Sequence, residues 1–248
     1  MAPFKVTPQK LAAEGIKRLK VLADPVRAAG ARRYFKETVL FLGTTTPDLR
    51  ALAQEFFQKV RSEWGVAEAT EFCSIMLANP YHEVRTLGIL VFEKFRKDFP
   101  MTTFVTIKKW LLADYCNNWA LVDVLCPTSV AALLEEYPDL VKEIKGWTSS
   151  PNRWVRRASI VSFIKLAKNA QYLDAIYEIV RSHFVDGDDL IQKAGGWLLR
   201  EAGKTDLARL EKFLRRHGPA IPRTTLRYAV ERFPEPKRKA LLLATKKS

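Results

Sequence analysis

Residues 79–92 have the sequence NPYHEVRTLGILVF, and residues 150–163 have the sequence SPNRWVRRASIVSF. Each stretch begins with a polar or proline-containing turn, continues with one apolar and one polar residue, and ends in an apolar run. The same order recurs in TTPDLRALAQEFF at 45–57 and in GDDLIQKAGGWLL at 187–199. Self-similarity at a fixed period is the signature of a repeat protein.

The repeats are about 35 residues apart, which leaves room for two helices and two turns in each. Their apolar-polar anchors follow one another at distances of 35, 35, 36 and 36 residues: Leu49-Arg50, Val84-Arg85, Trp119-Ala120, Val155-Arg156 and Ile191-Gln192. Apolar residues at three- and four-residue spacing predict the first helices of successive pairs at 103–114, 129–147, 172–184 and 206–216. The sequence shows no alternating strand pattern.

This pattern predicts an all-α fold, a HEAT-like helical-repeat solenoid of stacked helix pairs whose second helices line a concave basic groove. One solenoid domain is expected over residues 1–248, with an N-terminal helical segment at 1–30 and a basic tail at 235–248. The turn-forming residues are expected to separate repeats, not domains: Pro47, Pro80, Pro127, Pro151 and Gly218.

The charge is high and unevenly distributed. The formal net charge is +14, from 41 Lys and Arg against 27 Asp and Glu. Residues 1–50 carry 10 basic and 4 acidic side chains, residues 51–141 carry 8 and 12, and residues 142–248 carry 23 and 11. A basic chain with an acidic middle favours a polyanion that is held from both ends, so nucleic acid is the predicted partner.

Several function classes lack their motifs. The sequence contains no GxGxxG, GxxxxGK[ST] or GxSxG pattern. Its three histidines are far apart and its three cysteines lack metal-ligand spacing, so no metal and no cofactor is expected. No run reaches 18 apolar residues, and the N-terminus has no apolar signal core. A cytoplasmic protein without membrane contact is predicted, associated with the nucleoid when it binds DNA.

One carboxylate interrupts the apolar stretch NNWALVDVLCP at residues 117–127. Asp123 follows Trp119 by four residues, one helical turn, so the ring and the carboxylate are expected on one helix face. A buried carboxylate needs a basic partner or a cationic ligand. Asp123 is therefore either a structural residue, paired for example with Arg157, or a group that stabilises positive charge on a substrate.

Two further features complete the candidate site. Arg153, Arg156 and Arg157 cluster at a predicted helix start and suit a phosphate, the alternative being a solvated basic face. Trp197 follows two glycines inside a helical pattern, which cost roughly 1–2 kcal/mol of helix propensity and indicate close approach of a ligand or of another helix. Since indole faces attract cations, the set suits a substrate with an anionic backbone and a cationic reacting centre.

Four segments in order resemble the AlkD-type DNA alkylation repair glycosylases: YFKETVLFLGTTTPDLR, NNWALVDVLCP, NRWVRRASIV and IQKAGGWLLREAGK. The resemblance covers about residues 30–235. It implies a HEAT-like solenoid that excises positively charged N3- and N7-alkylated purines from duplex DNA. The family often has Asp-Ser after the tryptophan where this chain has Ala120-Leu121, a departure that removes polar groups but no core catalytic residue.

The resemblance also implies roles for individual residues. Asp123 and Trp119 match the catalytic aspartate and its neighbouring tryptophan, and Trp197 matches the second active-site tryptophan. Arg157 matches a phosphate-side arginine, and Tyr34 matches a DNA-contacting tyrosine. The predicted DNA-binding residues include the remaining basic candidates: Arg153, Arg156, Lys36 and Lys193.

The implied reaction needs little acid catalysis. Alkylation at N7 of guanine or N3 of adenine makes the base a cation, so it leaves as a neutral group, which fits a chain without a well-placed histidine. Positive charge then develops on the deoxyribose, where Asp123 would stabilise it and orient water. Trp119 and Trp197 would pack on sugar and backbone, without a deep base pocket. With no lysine placed as a Schiff-base nucleophile, a monofunctional glycosylase acting on 7-methylguanine and 3-methyladenine is expected.

Three other functions stay open at this point. A HEAT-type scaffold for an acidic peptide explains the charge and the fold, but not the Trp-Asp pair. A non-catalytic DNA-structure binder explains the basic groove, yet such a protein is expected to lack the aspartate or the tryptophans. A metal-dependent nuclease is disfavoured because no carboxylate cluster accompanies Asp123. A monomer is expected.

Overall fold

The structure is a computed structural model that describes residues 6–245. Over that range the chain forms helices joined by short turns, and its one feature of β type is an isolated parallel bridge between Leu40 and Tyr81. The all-α prediction is therefore confirmed. None of the described helices is long and apolar enough to span a bilayer. The outermost parts of the two predicted terminal segments, 1–5 and 246–248, lie outside the described residues.

The chain divides into two compact units, and the first extends to Leu133. We call it the N-terminal unit. Its helices are α1 (Pro8–Val21), α2 (Pro25–Arg32), α3 (Thr46–Val60), α4 (Val66–Leu77), α5 (His82–Phe92), α6 (Thr102–Leu112) and α7 (Trp119–Leu125). A 3₁₀ helix at Glu93–Asp98 follows α5, and a π turn at Cys126–Val130 follows α7.

The C-terminal unit begins at Leu134, inside the short helix α8 (Ala131–Glu136). Its further helices are α9 (Leu140–Trp147), α10 (Arg153–Val161), α11 (Leu173–Ser182), α12 (Asp189–Thr205), α13 (Leu207–His217), α14 (Arg223–Ala229) and α15 (Glu235–Ala244). Short 3₁₀ turns lie at Leu166–Lys168, Ala170–Tyr172 and Gly218–Ala220.

The helices begin where side chains can satisfy their first N–H groups. A short polar side chain precedes each of several helices and accepts a hydrogen bond from the first turn: Thr7, Asp24, Thr45, Asn118, Asn152, Asp188 and Asp206. Proline occupies the first turn of α1, α2 and α3, where its missing N–H costs nothing. These signals are local, so they fix where each helix starts.

A recurring hydrogen bond ties the second helix of a repeat to the turn before it. The polar side chain of the anchor donates to the carbonyl six residues earlier: Arg85 to Asn79 (2.5 Å), Arg156 to Ser150 (2.9 Å) and Gln192 to Asp186 (2.9 Å). The bond occurs in both units. The anchors found in the sequence therefore mark a structural repeat as well as a sequence repeat.

The anchor assigned to α7 is misplaced by two residues. Val84, Val155 and Ile191 are each the third residue of their helix, and each is buried. The third residue of α7 is Leu121, which is fully buried, whereas Trp119 is the first. Spacing alone aligned the tryptophan with the core positions because a two-residue shift lies within the variation of the period.

Two predicted boundaries also differ from the structure. Residues 129–147 do not form one helix, because Pro138 lacks the N–H that a helix interior requires and separates α8 from α9. Pro127 does not end a helix. It lies in the π turn, where the N–H of Ala131 bonds to the carbonyl of Cys126 five residues earlier. The other predicted first helices are confirmed as α6, α11 and α13.

Candidate functional site

The start of α7 is fixed by Asn118. The buried Asn118 side chain accepts the N–H of Leu121 at 3.1 Å, which closes the first turn. Trp119 and Asp123 are the first and fifth residues of the helix, so they lie on one face, and both are partly exposed. The π turn follows directly, and turns of this kind often occur at functional sites.

The same two helix positions hold most of the predicted site residues. First and fifth positions of the second helices are His82 and Thr86 in α5, Trp119 and Asp123 in α7, Arg153 and Arg157 in α10, and Asp189 and Lys193 in α12. In the other three helices the first position is polar or charged. A tryptophan at such a position is not accounted for by the core packing that the repeat requires.

Trp119 belongs to an aromatic cluster in the N-terminal unit, formed with Phe35, Phe41 and His82. The ring of Phe35 stacks almost parallel on the indole, with centroids 5.0 Å apart and planes 13° apart. Phe41 tilts against Phe35 at 5.2 Å and against His82 at 5.0 Å. Sequence reasoning missed these three residues, although aromatic side chains at 34, 35 and 41 were a signal.

A histidine belongs to the same cluster as Trp119, since His82 lies against Phe35 and Phe41. Burial, assisted by the charge of Arg85, lowers the pKa of His82 to about 4. The ring Nε2 lies 3.3 Å from the hydroxyl of Thr86. At pH 7 the ring is neutral, so it is not a proton donor of useful strength. The His82 ring contributes to the cluster by packing against Phe35 and Phe41.

A buried carboxylate fixes the segment that follows α2. Glu83 is 3% exposed and accepts the backbone N–H groups of Leu42 at 2.9 Å and Gly43 at 2.7 Å. The backbone N–H of His82 donates to the carbonyl of Leu40 at 2.8 Å. Hydrogen bonds to an ionised acceptor are the strong ones, so the segment is held firmly against the start of α5. Its signal in the sequence was an acidic residue inside the repeat motif.

The turn after α2 carries two of the predicted DNA-binding residues. Tyr34 is 80% exposed, and Lys36 is exposed as well. Arg32 and Arg33 precede them and are also exposed, so this turn presents three cations and a phenol to solvent. The arrangement suits a polyanion, and the DNA contacts of Tyr34 and Lys36 stay predictions.

The predicted arginine cluster lies at the start of α10 in the C-terminal unit. Two of its members form ion pairs with aspartates of that unit: Arg153 with Asp188 at 2.5 Å and Arg156 with Asp186 at 2.8 Å. Arg157 is 5% exposed and donates to the carbonyl of Leu190 at 2.6 Å. The hypothesis of a solvated basic face is wrong for Arg157. Phosphate contacts of the three arginines stay predictions.

The glycine pair before Trp197 is explained by helix packing. A Cβ at Gly196 would stand 2.6 Å from the carbonyl oxygen of Thr225 and closer still to the Cβ of Tyr228, both on α14. A Cβ at Gly195 would meet its neighbours at ordinary distances, the nearest at 3.5 Å. Of the two explanations offered by the sequence, close approach of a helix is therefore sufficient. Trp197 is partly exposed, and its catalytic role stays a prediction.

Lys193 is also held within the C-terminal unit. Its ammonium lies 2.8 Å from the carboxylate of Asp189, one turn earlier in α12. The hydrogen bond to Asp189 raises the pKa of Lys193, so the lysine is charged at neutral pH. To contact DNA as predicted, the ammonium of Lys193 would have to bind a phosphate in addition to Asp189, or in its place.

Metal-ligating side chains are not grouped in the part of the chain that the structure describes. Residues 6–245 contain no set of three His, Cys, Asp or Glu side chains close enough to hold a metal ion.

Residues 16–233 match the model of a protein family described as DNA alkylation repair enzyme. The chain belongs to the DNA alkylation repair enzyme family. Membership identifies an enzyme of DNA repair with DNA as its partner, as the sequence predicted. The fold is similar to that of a solved structure described as "Predicted DNA alkylation repair enzyme from Enterococcus faecalis", with a TM-score of 0.75 and 18% identity over 86% of this chain and 97% of that chain. No curated protein matches the chain significantly.

One arrangement in this DNA alkylation repair enzyme resembles a hydrolase triad. The hydroxyl of Ser159 lies 3.0 Å from Nε2 of His183, whose Nδ1 lies 3.7 Å from Asp186. Ser159 is completely buried, however, and its hydroxyl donates to the carbonyl of Arg156 at 2.6 Å. A nucleophile must reach its substrate, so these residues serve the packing of the C-terminal unit.

Proposed function

We propose that the protein is an AlkD-type DNA glycosylase that hydrolyses the N-glycosidic bond of cationic N3- and N7-alkylated purines in duplex DNA. The observation that carries this proposal is the start of α7, where a partly exposed tryptophan and a partly exposed carboxylate share one face at the first and fifth positions. Family membership supplies the class of damage. The +14 net charge agrees with a DNA substrate.

The chemistry needs a negative charge more than an acid. An alkylated purine is already a cation and leaves as a neutral base, so the barrier lies in the positive charge that develops on the deoxyribose. The carboxylate of Asp123 stabilises that charge and orients the attacking water, and Trp119 packs against the sugar. The neutral His82 ring fits a reaction without general acid catalysis.

The enzyme is proposed to be monofunctional, leaving the DNA strand intact. Strand cleavage by a glycosylase requires an amine that forms a Schiff base with the sugar. Residues 111–141, which include α7 and both flanks, contain no lysine. The immediate products would therefore be the free base and an abasic site.

The remaining site residues are proposed as contacts of the same duplex. Arg157, Arg153, Arg156, Lys193 and Lys36 would hold phosphates, Tyr34 would contact the backbone, and Trp197 would pack near the lesion. A HEAT-like stacking of the helix pairs and a monomeric state belong to the same proposal. The recurring six-residue hydrogen bond and the matched helix positions of the basic residues support it.

The test is direct. The purified protein is incubated with a duplex methylated at ring nitrogens, and the released bases are separated by chromatography, with unmethylated duplex as the control. We expect release of 7-methylguanine and 3-methyladenine above the spontaneous rate, without strand breaks before alkali treatment. Binding without release above the spontaneous rate would instead support a non-catalytic DNA binder.

A further inference from the structure

We infer that Phe35 is a positioning residue for Trp119. Its phenyl ring lies parallel to the indole and fixes the plane in which the tryptophan meets the substrate. This inference rests on the proposed function in one respect, since that function places Trp119 against the sugar of the lesion. The contact between the two rings is observed whether or not the proposed function is correct.

The stack of Phe35 on Trp119 differs from the ring contacts of the core. The two centroids are 5.0 Å apart with planes at 13°, the offset-parallel geometry that aromatic pairs favour. A second stacked pair in this unit joins Phe92 and Phe99, both buried. Phe35 and Trp119 are only partly buried. One face of the indole is thus covered by a ring, on a residue that solvent still reaches in part.

Phe35 is itself in contact with two further rings. Phe41 and His82 lie against it in tilted orientations, with centroids at 5.2 and 6.0 Å. These two rings touch each other at 5.0 Å. A ring that packs against two others as well as against the indole has less freedom to turn, so it can transmit a fixed orientation to Trp119.

The backbone beyond Phe41 is fixed as well. Glu83 accepts the N–H groups of both Leu42 and Gly43. Gly43 has φ of +88°, and a Cβ there would collide with the carbonyl of Asp24, so the chain passes through a gap that only glycine fits. Glu83 therefore fixes the backbone at Leu42 and Gly43, next to Phe41, and Phe41 in turn packs against the phenyl ring of Phe35. The sequence had directed attention to the neighbouring Tyr34, which points into solvent.

A fixed indole plane matters because the reaction depends on where the sugar sits relative to Asp123. Misplacement of a substrate by about 1 Å can cost on the order of 100-fold in rate. A phenyl ring orients Trp119 without adding a charge or a hydrogen-bond donor near the carboxylate. Replacement of Phe35 should therefore change the chemical step and leave DNA affinity almost unchanged.

The experiment uses the full chain labelled with 5-fluorotryptophan, whose six fluorine resonances report on the individual indoles. Trp119→Phe assigns the Trp119 signal. Phe35→Leu removes the flat ring and Phe35→Tyr keeps it. Tyr34→Leu, at the exposed neighbour and a proposed DNA contact, is the control for the fluorine spectrum alone. We expect Phe35→Leu to shift and broaden the Trp119 resonance and to lower the single-turnover rate of base release roughly ten- to a hundredfold. Affinity for a duplex with a stable abasic analogue should stay within about twofold, as for a residue that touches no DNA.

Phe35→Tyr should restore both the resonance and the rate, and Tyr34→Leu should leave the resonance in place. An unchanged Trp119 resonance in folded Phe35→Leu overturns the inference, and so does a rate that Phe35→Tyr fails to rescue. If Phe35→Leu melts, Phe35→Met replaces it, since a flexible thioether fills the space without a flat face. A wild-type protein that releases no base contradicts the proposed function instead, and the fluorine spectrum still decides whether Phe35 holds Trp119.

Discussion

At the scale of single residues, Gly195 and Gly196 form a matched pair with opposite expectations. Gly196→Ala places a Cβ into α14 and should lower the free energy of unfolding by about 1–3 kcal/mol through overpacking. Gly195→Ala meets only ordinary contacts and should be neutral or stabilising by up to about 1 kcal/mol from helix propensity. Urea denaturation of the two variants checks this. Equal effects would contradict the packing explanation.

The buried histidines predict a loss of stability in weak acid. Burial lowers the pKa of His183 to about 4, opposed by Asp186 and assisted by Arg156. In the unfolded chain His183 has its ordinary pKa of about 6.5. Between pH 6.5 and pH 4 the unfolded state therefore binds more protons than the folded state, and the free energy of unfolding falls as the pH falls through that range. One such group costs about 2 kcal/mol between pH 7 and pH 5.

His183→Gln should therefore flatten the dependence of unfolding free energy on pH, measured by urea denaturation at pH 7 and pH 5. The dependence should not vanish, because burial lowers the pKa of His82 to about 4 as well. His217→Gln serves as the control, since that ring is less buried. A slope identical in His183→Gln and wild type would show that His183 is not the group that titrates.

Sequence reasoning at this scale succeeded where a residue was out of place in its own local pattern. Asp123 interrupts an apolar run, and Trp119 lies one turn before it. Phe35 and Glu83 escaped notice because their roles depend on partners far along the chain: Phe35 stacks on an indole 84 residues away, and Glu83 binds backbone groups about 40 residues earlier. No periodicity encodes such a contact.

At the scale of elements, the start of α7 depends on one cap. Asn118→Ala removes the acceptor for the N–H of Leu121 and should cost about 1 kcal/mol of unfolding free energy. Because Trp119 opens the helix, the same change should slow base release, whereas Asn118→Asp should preserve both properties.

The matched control is Asp206→Ala, which removes the equivalent cap of α13, where Asp206 accepts the N–H of Arg209 at 2.8 Å. It should cost similar stability and leave single-turnover release unchanged. Equal losses of activity in the two cap variants at equal stability would contradict a specific role for the start of α7.

Helix positions were predictable because periodicity and caps are local, and the boundaries at α6, α11 and α13 follow them. The π turn was not predictable. Pro127 gave the signal of a break, yet the chain continues through it as a π turn, in which the N–H of Ala131 bonds to the carbonyl of Cys126 five residues earlier. Whether a proline ends or widens a helix is decided by packing, which a single sequence does not display.

At the scale of the whole molecule, charge should dominate DNA binding. If both basic ends hold phosphates, affinity for undamaged duplex should fall at least tenfold between about 50 and 200 mM salt, since each neutralised phosphate releases counterions. Lys36→Ala should reduce the slope of log affinity against log salt by about one. Lys142 is an exposed lysine on α9, within the segment predicted as the first helix of a pair. Lys142→Ala should leave the slope unchanged. A nearly flat salt dependence would contradict the prediction.

The helical class was evident from the repeat, because a motif recurring about every 35 residues with helical periodicity leaves few alternatives. The division into two compact units at Leu133 could not be predicted from the sequence. It falls inside the short helix α8, whose own residues include no glycine or proline that would mark a boundary.

The proposed function places the catalytic charge on Asp123. Asp123→Asn keeps the shape and removes the charge, and loss of one preorganised electrostatic contact costs about 10²–10³ in rate. The control is Asp139→Asn, an exposed carboxylate 3.6 Å from Lys142. The decisive measurement is single-turnover release of 7-methylguanine from duplex DNA, with thermal melting to show that each variant is folded. We predict release near the spontaneous rate for Asp123→Asn and at the wild-type rate for Asp139→Asn; a folded Asp123→Asn protein that excises at the wild-type rate would contradict the account.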